Sequence, residues 1–103
     1  MKKIIVTGCN GQLGRAINAQ YEGSTEYELI NTDVADLDIT DVDAVLKHVR
    51  EVKPYAIINC AAYTAVDKCE TEEELAFKIN AIGPRNLAIA AAEAELAAVK
   101  AAK

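Results

Sequence analysis

The 103-residue chain has no tryptophan, one histidine, one phenylalanine and two prolines. Without tryptophan, ligand binding must be followed with another probe. The lone His48 falls in a charged helical segment, where solvation is the expected state, and no metal ligand set is read. Positive charge is also short. Eleven Lys and Arg against sixteen Asp and Glu leave a net charge of −5, which argues against nucleic acid or an anionic membrane as a partner, because both select a basic face. Cys9, Cys60 and Cys69 are an odd number without C-x-x-C spacing, so they are expected to be small reduced residues. No apolar run approaches bilayer length. Met1-Lys2-Lys3 before apolar residues resembles the start of an export signal, but the run stops at Gly8 and no small-x-small site follows, so a cytoplasmic location is expected.

What remains is ordinary globular material, 51% apolar and 26% charged, enough for one compact domain. Its most informative stretch is Ile4-Ile5-Val6-Thr7-Gly8-Cys9-Asn10-Gly11-Gln12-Leu13-Gly14. An apolar strand runs into glycines spaced Gly8-x-x-Gly11-x-x-Gly14, and helix-forming residues follow. Such a junction brings bare N–H groups and a helix N-terminus together, which suits a pyrophosphate. One glycine permits the turn, one lets phosphate approach the main chain, and one lets helix and strand pack closely. Three glycines in seven residues also arise by chance in loops. An anionic ligand stays compatible with the acidic chain, since local N–H groups can outweigh the global sign.

Strand-like runs alternate with amphipathic helices, as in a parallel sheet with crossover helices. The pattern predicts a strand over Lys3–Thr7 and a helix over Gln12–Tyr21 burying Leu13, Ala16, Ile17 and Tyr21. A second strand follows over Tyr27–Asp33, then a very short extended piece over Asp36–Ile39. Thr40 is the expected N-cap of a helix burying Val42, Val45, Leu46 and Val49, and Pro54 closes the turn after it. Tyr55–Cys60 reads as a strand covered on both faces. A linker over 61–70 leads to a capping signal, Thr71-x-x-Glu74, at the start of the last helix.

Pro84 lies inside that helical pattern and cannot donate to the Asn80 carbonyl, while Gly83 loosens the same turn. The expectation is a kink that frees the Asn80 C=O. From Ala88 to Lys103, nine of sixteen residues are alanine, a helical stretch without chemistry. Residues 1–92 are therefore read as the domain proper, and 93–103 as an alanine-rich tail.

A dinucleotide site requires an acidic residue about twenty positions after the glycines, at the end of the second strand. Asp33, nineteen residues after Gly14, stands there. Its carboxylate can accept from both ribose hydroxyls and would repel a 2′-phosphate, which favours NADH over NADPH. Arg15 could offset part of that repulsion. The alternative account of Asp33 is a strand-end turn residue.

Thr7-Gly8-Cys9-Asn10-Gly11-Gln12-Leu13-Gly14-Arg15, Asp33, Leu37-Asp38-Ile39, Asn59 through Glu70 and Ile79-Asn80-Ala81-Ile82-Gly83-Pro84 together resemble dTDP-4-dehydrorhamnose reductase. That family belongs to the extended short-chain dehydrogenases/reductases acting on nucleotide sugars. The resemblance covers residues 1 to about 92, and Ala61-Ala62-x-Thr64-Ala65-Val66-Asp67-Lys68 is its most specific part. It implies an α/β, Rossmann-like parallel sheet of three to four strands in the order 3-2-1-4 with crossover helices, ending before a fifth strand. It also implies NADPH or NADH as cofactor, held among Gly8, Asn10, Gly11, Gln12, Leu13, Gly14, Asp33, Asp38, Ile39, Ala61, Ala62, Tyr63, Thr64 and Asn80. By that resemblance Gly11, Gln12 and Leu13 cradle the pyrophosphate, Asp33 the adenosine ribose, and Asp38 and Ile39 border the adenine. Ala62, Tyr63 and Thr64 line the nicotinamide-side ribose, and the Asn80 carbonyl orders a water near a catalytic lysine. Tyr63 stands where the family usually has His, and Cys60 where it often has Ala.

Family members protonate the reduced 4-keto sugar with a Tyr-x-x-x-Lys pair. Here Tyr21, Tyr27, Tyr55 and Tyr63 are followed four positions later by Thr25, Asn31, Asn59 and Asp67. No pair exists and no catalytic residue is assigned. The resemblance thus implies the cofactor-binding first half of a reductase, inactive alone, with the nucleotide sugar a substrate only of a longer parent. Two alternatives stay open: a non-catalytic nucleotide- or protein-binding module, and a fragment or designed scaffold of interest for folding and assembly. Without a fifth strand, Tyr55–Cys60 would be an exposed apolar edge, so a homo-oligomer through that strand or the last helix is expected.

Overall fold

A computed structural model describes residues 1–61 and 73–102. Ile4, Ile5 and Val6 are β-formers on both faces, and they make β1 (Lys2–Thr7) the centre of a three-stranded parallel sheet. On one side lies β2 (Tyr27–Asn31), with Ile5 opposite Ile30. On the other lies β3 (Ala56–Asn59), with Ile5 opposite Ile57. The order β2-β1-β3 is the 2-1-4 part of the anticipated 3-2-1-4.

Helix α1 (Gln12–Tyr21) links β1 to β2, and α2 (Val42–Val52) links β2 to β3. The two crossovers travel in opposite directions, so right-handed connections put the helices on opposite faces of the sheet. After residue 72, α3 (Glu73–Phe77) runs into a π-helical turn (Lys78–Ile82) and then α4 (Gly83–Ala102). The core sits on the α2 and α4 face: Ile5, Leu37, Ile39, Val45, Val49, Leu87 and Ala90 form one buried cluster, with Ile30, Ile57 and Ala94 packed against it. Arg50 of α2 pairs with Glu93 of α4 at 2.7 Å. Helix α4 is unbroken across position 92.

Five expectations need correction. The predicted inner stripe of α1 is largely uncovered: Leu13 is 59% and Tyr21 37% exposed, because among the described residues α1 is the only helix on its face. Asp36–Ile39 is a turn. Leu37 and Ile39 are buried around exposed Asp38, but the Asp36 and Leu37 N–H groups donate back to the Asp33 carbonyl, not to a strand. The N-cap of α2 is Asp41, whose Oδ1 accepts from Asp43 and Ala44 N–H at 3.1 and 3.2 Å. The Thr40 hydroxyl instead donates to Asp38 Oδ1 at 2.6 Å. β3 is only half-buried, as suits an edge strand. His48 is half-buried, with Nε2 enclosed and without a hydrogen-bond partner.

The anticipated kink takes the form of the π turn. Gly83 N–H donates to the Lys78 carbonyl, one residue further back than in an α-helix, which absorbs the missing Pro84 donor by widening the turn. Asn80 is engaged with a partner. The Thr71 cap and Ala62, Tyr63 and Thr64 lie outside the described residues.

Candidate functional site: a cleft at the carboxyl end of the sheet

The chain leaves β1 towards β2 and later returns on the opposite side as β3, which makes the β1/β3 boundary a switch point of the sheet. Crevices outside the carboxyl ends of strands at such points are where open α/β sheets bind ligands. A cavity of about 550 Å³ occupies that end. Its wall takes Thr7, Gly8, Asn10 and Gly11 from the β1–α1 junction, and Thr32, Asp33 and Val34 from the end of β2. Leu37 to Thr40, then Cys60 and Ala61, then Leu75 and Ile79 complete it. Seven of the sequence-predicted residues meet here: Gly8, Asn10, Gly11, Asp33, Asp38, Ile39 and Ala61. Gln12, Leu13 and Gly14 stand behind the loop as the first turn of α1, and Asn80 falls beside Ile79 without lining the wall.

The three glycines do different work. Gly8 has φ +61°, and a Cβ there would sit 2.7 Å from the Ala61 nitrogen and the Cys60 carbonyl carbon. It is needed both for the turn and for the passage of the chain leaving β3. A Cβ on Gly14 would lie 2.5 Å from the Gly8 oxygen and 2.7 Å from Cys9 Cα, so α1 can rest on the loop only through a glycine. Gly11 is neither strained nor crowded: φ is −76°, and a Cβ would meet only the Gly8 oxygen at 3.4 Å. Nothing among the described residues demands a glycine at position 11.

Gly11 is also the N-cap of α1, with no side-chain cap bond and no acidic residue in the first turn. The helical ladder starts with Arg15 N–H donating to the Gly11 carbonyl at 3.0 Å, and the Gly11 N–H is taken by Gly8 at 3.1 Å. The N–H groups of Gln12, Leu13 and Gly14 lie ahead of that ladder. They form the positive end of the helix dipole at the cleft. Of the three groups assigned to a pyrophosphate, Gly11 therefore contributes closeness of approach, while Gln12 and Leu13 keep donors.

Asp33 lies past the end of β2, its Oδ1 accepting from Val34 N–H at 2.8 Å while its own N–H donates to Asp36 Oδ2 at 3.0 Å. Asp38 Oδ1 accepts from Thr40 N–H at 3.0 Å and from its hydroxyl. Among the described lining residues the two carboxylates are the only charges. On the far wall, Asn59 Oδ1 accepts from the Thr7 hydroxyl at 2.5 Å and from Ala61 N–H at 3.1 Å, fixing where the chain leaves β3. Cys60 is half-buried beside it, and burial pushes its thiol pKa up. Of Leu75 and Ile79, one helical turn apart, no sequence motif marks the first, and the second enters only as the start of the Ile79–Pro84 stretch. Their i, i+4 spacing was the available signal.

A dTDP-4-dehydrorhamnose reductase from Clostridium acetobutylicum, solved by crystallography, superposes with a TM-score of 0.86 at 61% identity, over 89% of this chain and 32% of that one. The Bacillus anthracis dTDP-4-dehydrorhamnose reductase, solved in complex with NADP, gives 0.85 at 45% identity over 92% and 34%. Among curated proteins, the Mycolicibacterium smegmatis dTDP-4-dehydrorhamnose reductase is 44% identical over 93 residues, 88% of this chain and 27% of the relative. The chain thus spans about a third of the length of the relatives it matches. Residues 1–102 match the family described as RmlD substrate binding domain, and the chain belongs to that family.

Proposed function

We propose that this chain holds the dinucleotide, NADH or NADPH, of a nucleotide-sugar oxidoreductase of the dTDP-4-dehydrorhamnose reductase kind. The observation that carries this is the bare start of α1. An uncapped helix end opens onto the same cleft as a strand-end carboxylate, with a glycine between them that the backbone itself does not require. Those features suit a group with two negative phosphates and a diol.

In this reading Gln12 and Leu13 N–H groups bind the pyrophosphate, and Gly11 lets it approach. Asp33 accepts from the adenosine ribose hydroxyls, and Asp38 and Ile39 border the adenine. Gly8, Asn10, Gly14 and Ala61 shape the loop around them, while Ala62, Tyr63 and Thr64 are assigned to the second ribose by resemblance. When bound, the reduced nicotinamide supplies a hydride. The nucleotide sugar belongs to a longer parent that carries the proton donor this chain lacks, and the expected place of action is the cytoplasm. Neither nucleic acid nor a membrane is proposed as a partner. No helix among the described residues is long and apolar enough to cross a membrane. The outer edge of β3 has no strand partner among the described residues, so we also propose self-association there or through α4. A monomer mass independent of concentration in sedimentation would contradict that association.

The test is titration with NADH and NADPH, followed by nicotinamide fluorescence. NADH should bind more tightly than NADPH, because a carboxylate at position 33 repels a 2′-phosphate. Asp33→Asn should narrow that gap by about tenfold. Absence of binding by both cofactors would contradict the proposal.

A further inference from the structure

Among the described residues Asn86 is the one carboxamide that is fully buried, 0% exposed in the first turn of α4. Its Nδ2 donates to the Ile39 carbonyl at 2.9 Å, and its Oδ1 accepts from Arg85 Nη2 at 3.1 Å. Ile39 lies in the Asp38–Thr40 turn, which belongs to no strand, so no sheet ladder locates it. Bonds within the turn, from Thr40 and Asp41 N–H to Asp38, set its shape but not its distance from the rest of the fold. Helix α4 sets that distance twice. Asn86 holds the Ile39 carbonyl, and Gly83 makes room for the Ile39 side chain, since a Cβ at 83 would lie 2.5 Å from Ile39 Cδ1.

Building on the dinucleotide reading of the cleft, we propose that Asn86 and Gly83 brace the adenine edge of the site and determine how well it recognises the base. Neither residue lines the cleft; both are positioning residues acting through Ile39. Asp38, with one oxygen occupied by Thr40, has its second oxygen for the adenine 6-amino group. The hypoxanthine base of deamino-NADH presents a carbonyl there and would be repelled. The ratio of NADH to deamino-NADH affinity therefore reports where the Asp38–Ile39 turn stands. A purely structural role for Asn86 would lower both affinities by one factor and leave the ratio intact.

The experiment titrates both dinucleotides, by their own fluorescence, against the wild-type chain, Asn86→Ala and Gly83→Ala. Gly83→Ala moves Ile39 by its flexible tip and adds helix propensity, so it keeps the test open if Asn86→Ala fails to fold. The wild type should prefer NADH by about tenfold, and each folded variant should fall to within about twofold. A folded variant that keeps the wild-type ratio overturns the brace while leaving dinucleotide binding intact. A wild type that binds both forms equally removes the adenine contact and the brace with it. A wild type that binds neither refutes the dinucleotide reading itself, a separate and recognisable outcome.

Discussion

The two crossover helices begin in opposite ways. Helix α2 brings its own anion: Asp41 caps two of its N–H groups, and Asp43 follows in the first turn. Helix α1 brings none, starting at a glycine without a cap bond or an acidic first turn. Both ends carry the same partial positive charge. The difference is that α2 is closed by its own side chains, while α1 leaves its end open, which is what the proposed phosphate site requires. The faces agree with this division, because α2 packs into the buried core with α4 while the α1 stripe stays largely exposed.

The largest effect should come from erasing the difference. Gly11→Asp gives α1 the kind of cap α2 has, so stability in urea should hold or rise by a few tenths of a kcal/mol, about what separates Gly from a carboxylate cap. NADH binding should fall by about 100-fold, as the new carboxylate occupies the phosphate position and repels it. Opposite signs on stability and binding distinguish a ligand site from a merely weak helix start. Next comes Gly14→Ala, which lifts α1 off its loop. Clash with the Gly8 and Cys9 backbone should cost about 1–3 kcal/mol in urea unfolding and weaken NADH binding by about tenfold, so that stability and binding fall together. Asp41→Ala removes the α2 cap and should cost about 1 kcal/mol, with NADH affinity within about twofold of wild type.

The smallest effect concerns Cys60, whose thiol is raised in pKa by burial. The folded state holds that proton more tightly than the unfolded chain does. Its contribution to stability is therefore present below the unfolded thiol pKa and is lost as pH rises through the higher folded value. Peptide-resolved iodoacetamide labelling at Cys60 should be slow near neutral pH, faster as pH rises, and slower again with NADH in the cleft.

Much of this was legible in the sequence where one local rule governs. The bounds of α1 follow from glycines on one side and Glu22-Gly23 on the other, and the glycine loop announces its own geometry. Asp33 follows from its spacing of nineteen residues after Gly14, at the expected end of the second strand. The failures occur where local signals compete or a second layer decides. Thr40 and Asp41 are both good caps, and in the fold Asp41 accepts from the helix while the Thr40 hydroxyl donates to Asp38, a local rivalry that spacing cannot rank. Alternating burial of Leu37 and Ile39 imitates a strand, yet both are buried in the core cluster, and Ile39 is held by Asn86 of α4, more than forty residues away. The α1 stripe specifies a side to bury without naming a cover. Asn86 carried no motif at all, since its significance lies in a bond to Ile39 across the fold.

The central claim is that the open end of α1 receives a phosphate group. Backbone amide NMR of the 15N-labelled chain, titrated with NADH, tests it most directly. The predicted result is saturable shifts concentrated at Gln12, Leu13 and Gly14 and at Asp33 through Ile39, with the α2 N-terminus at Asp43 and Ala44 unmoved. Shifts confined to α2 and α4, or equal at both helix starts, would contradict it.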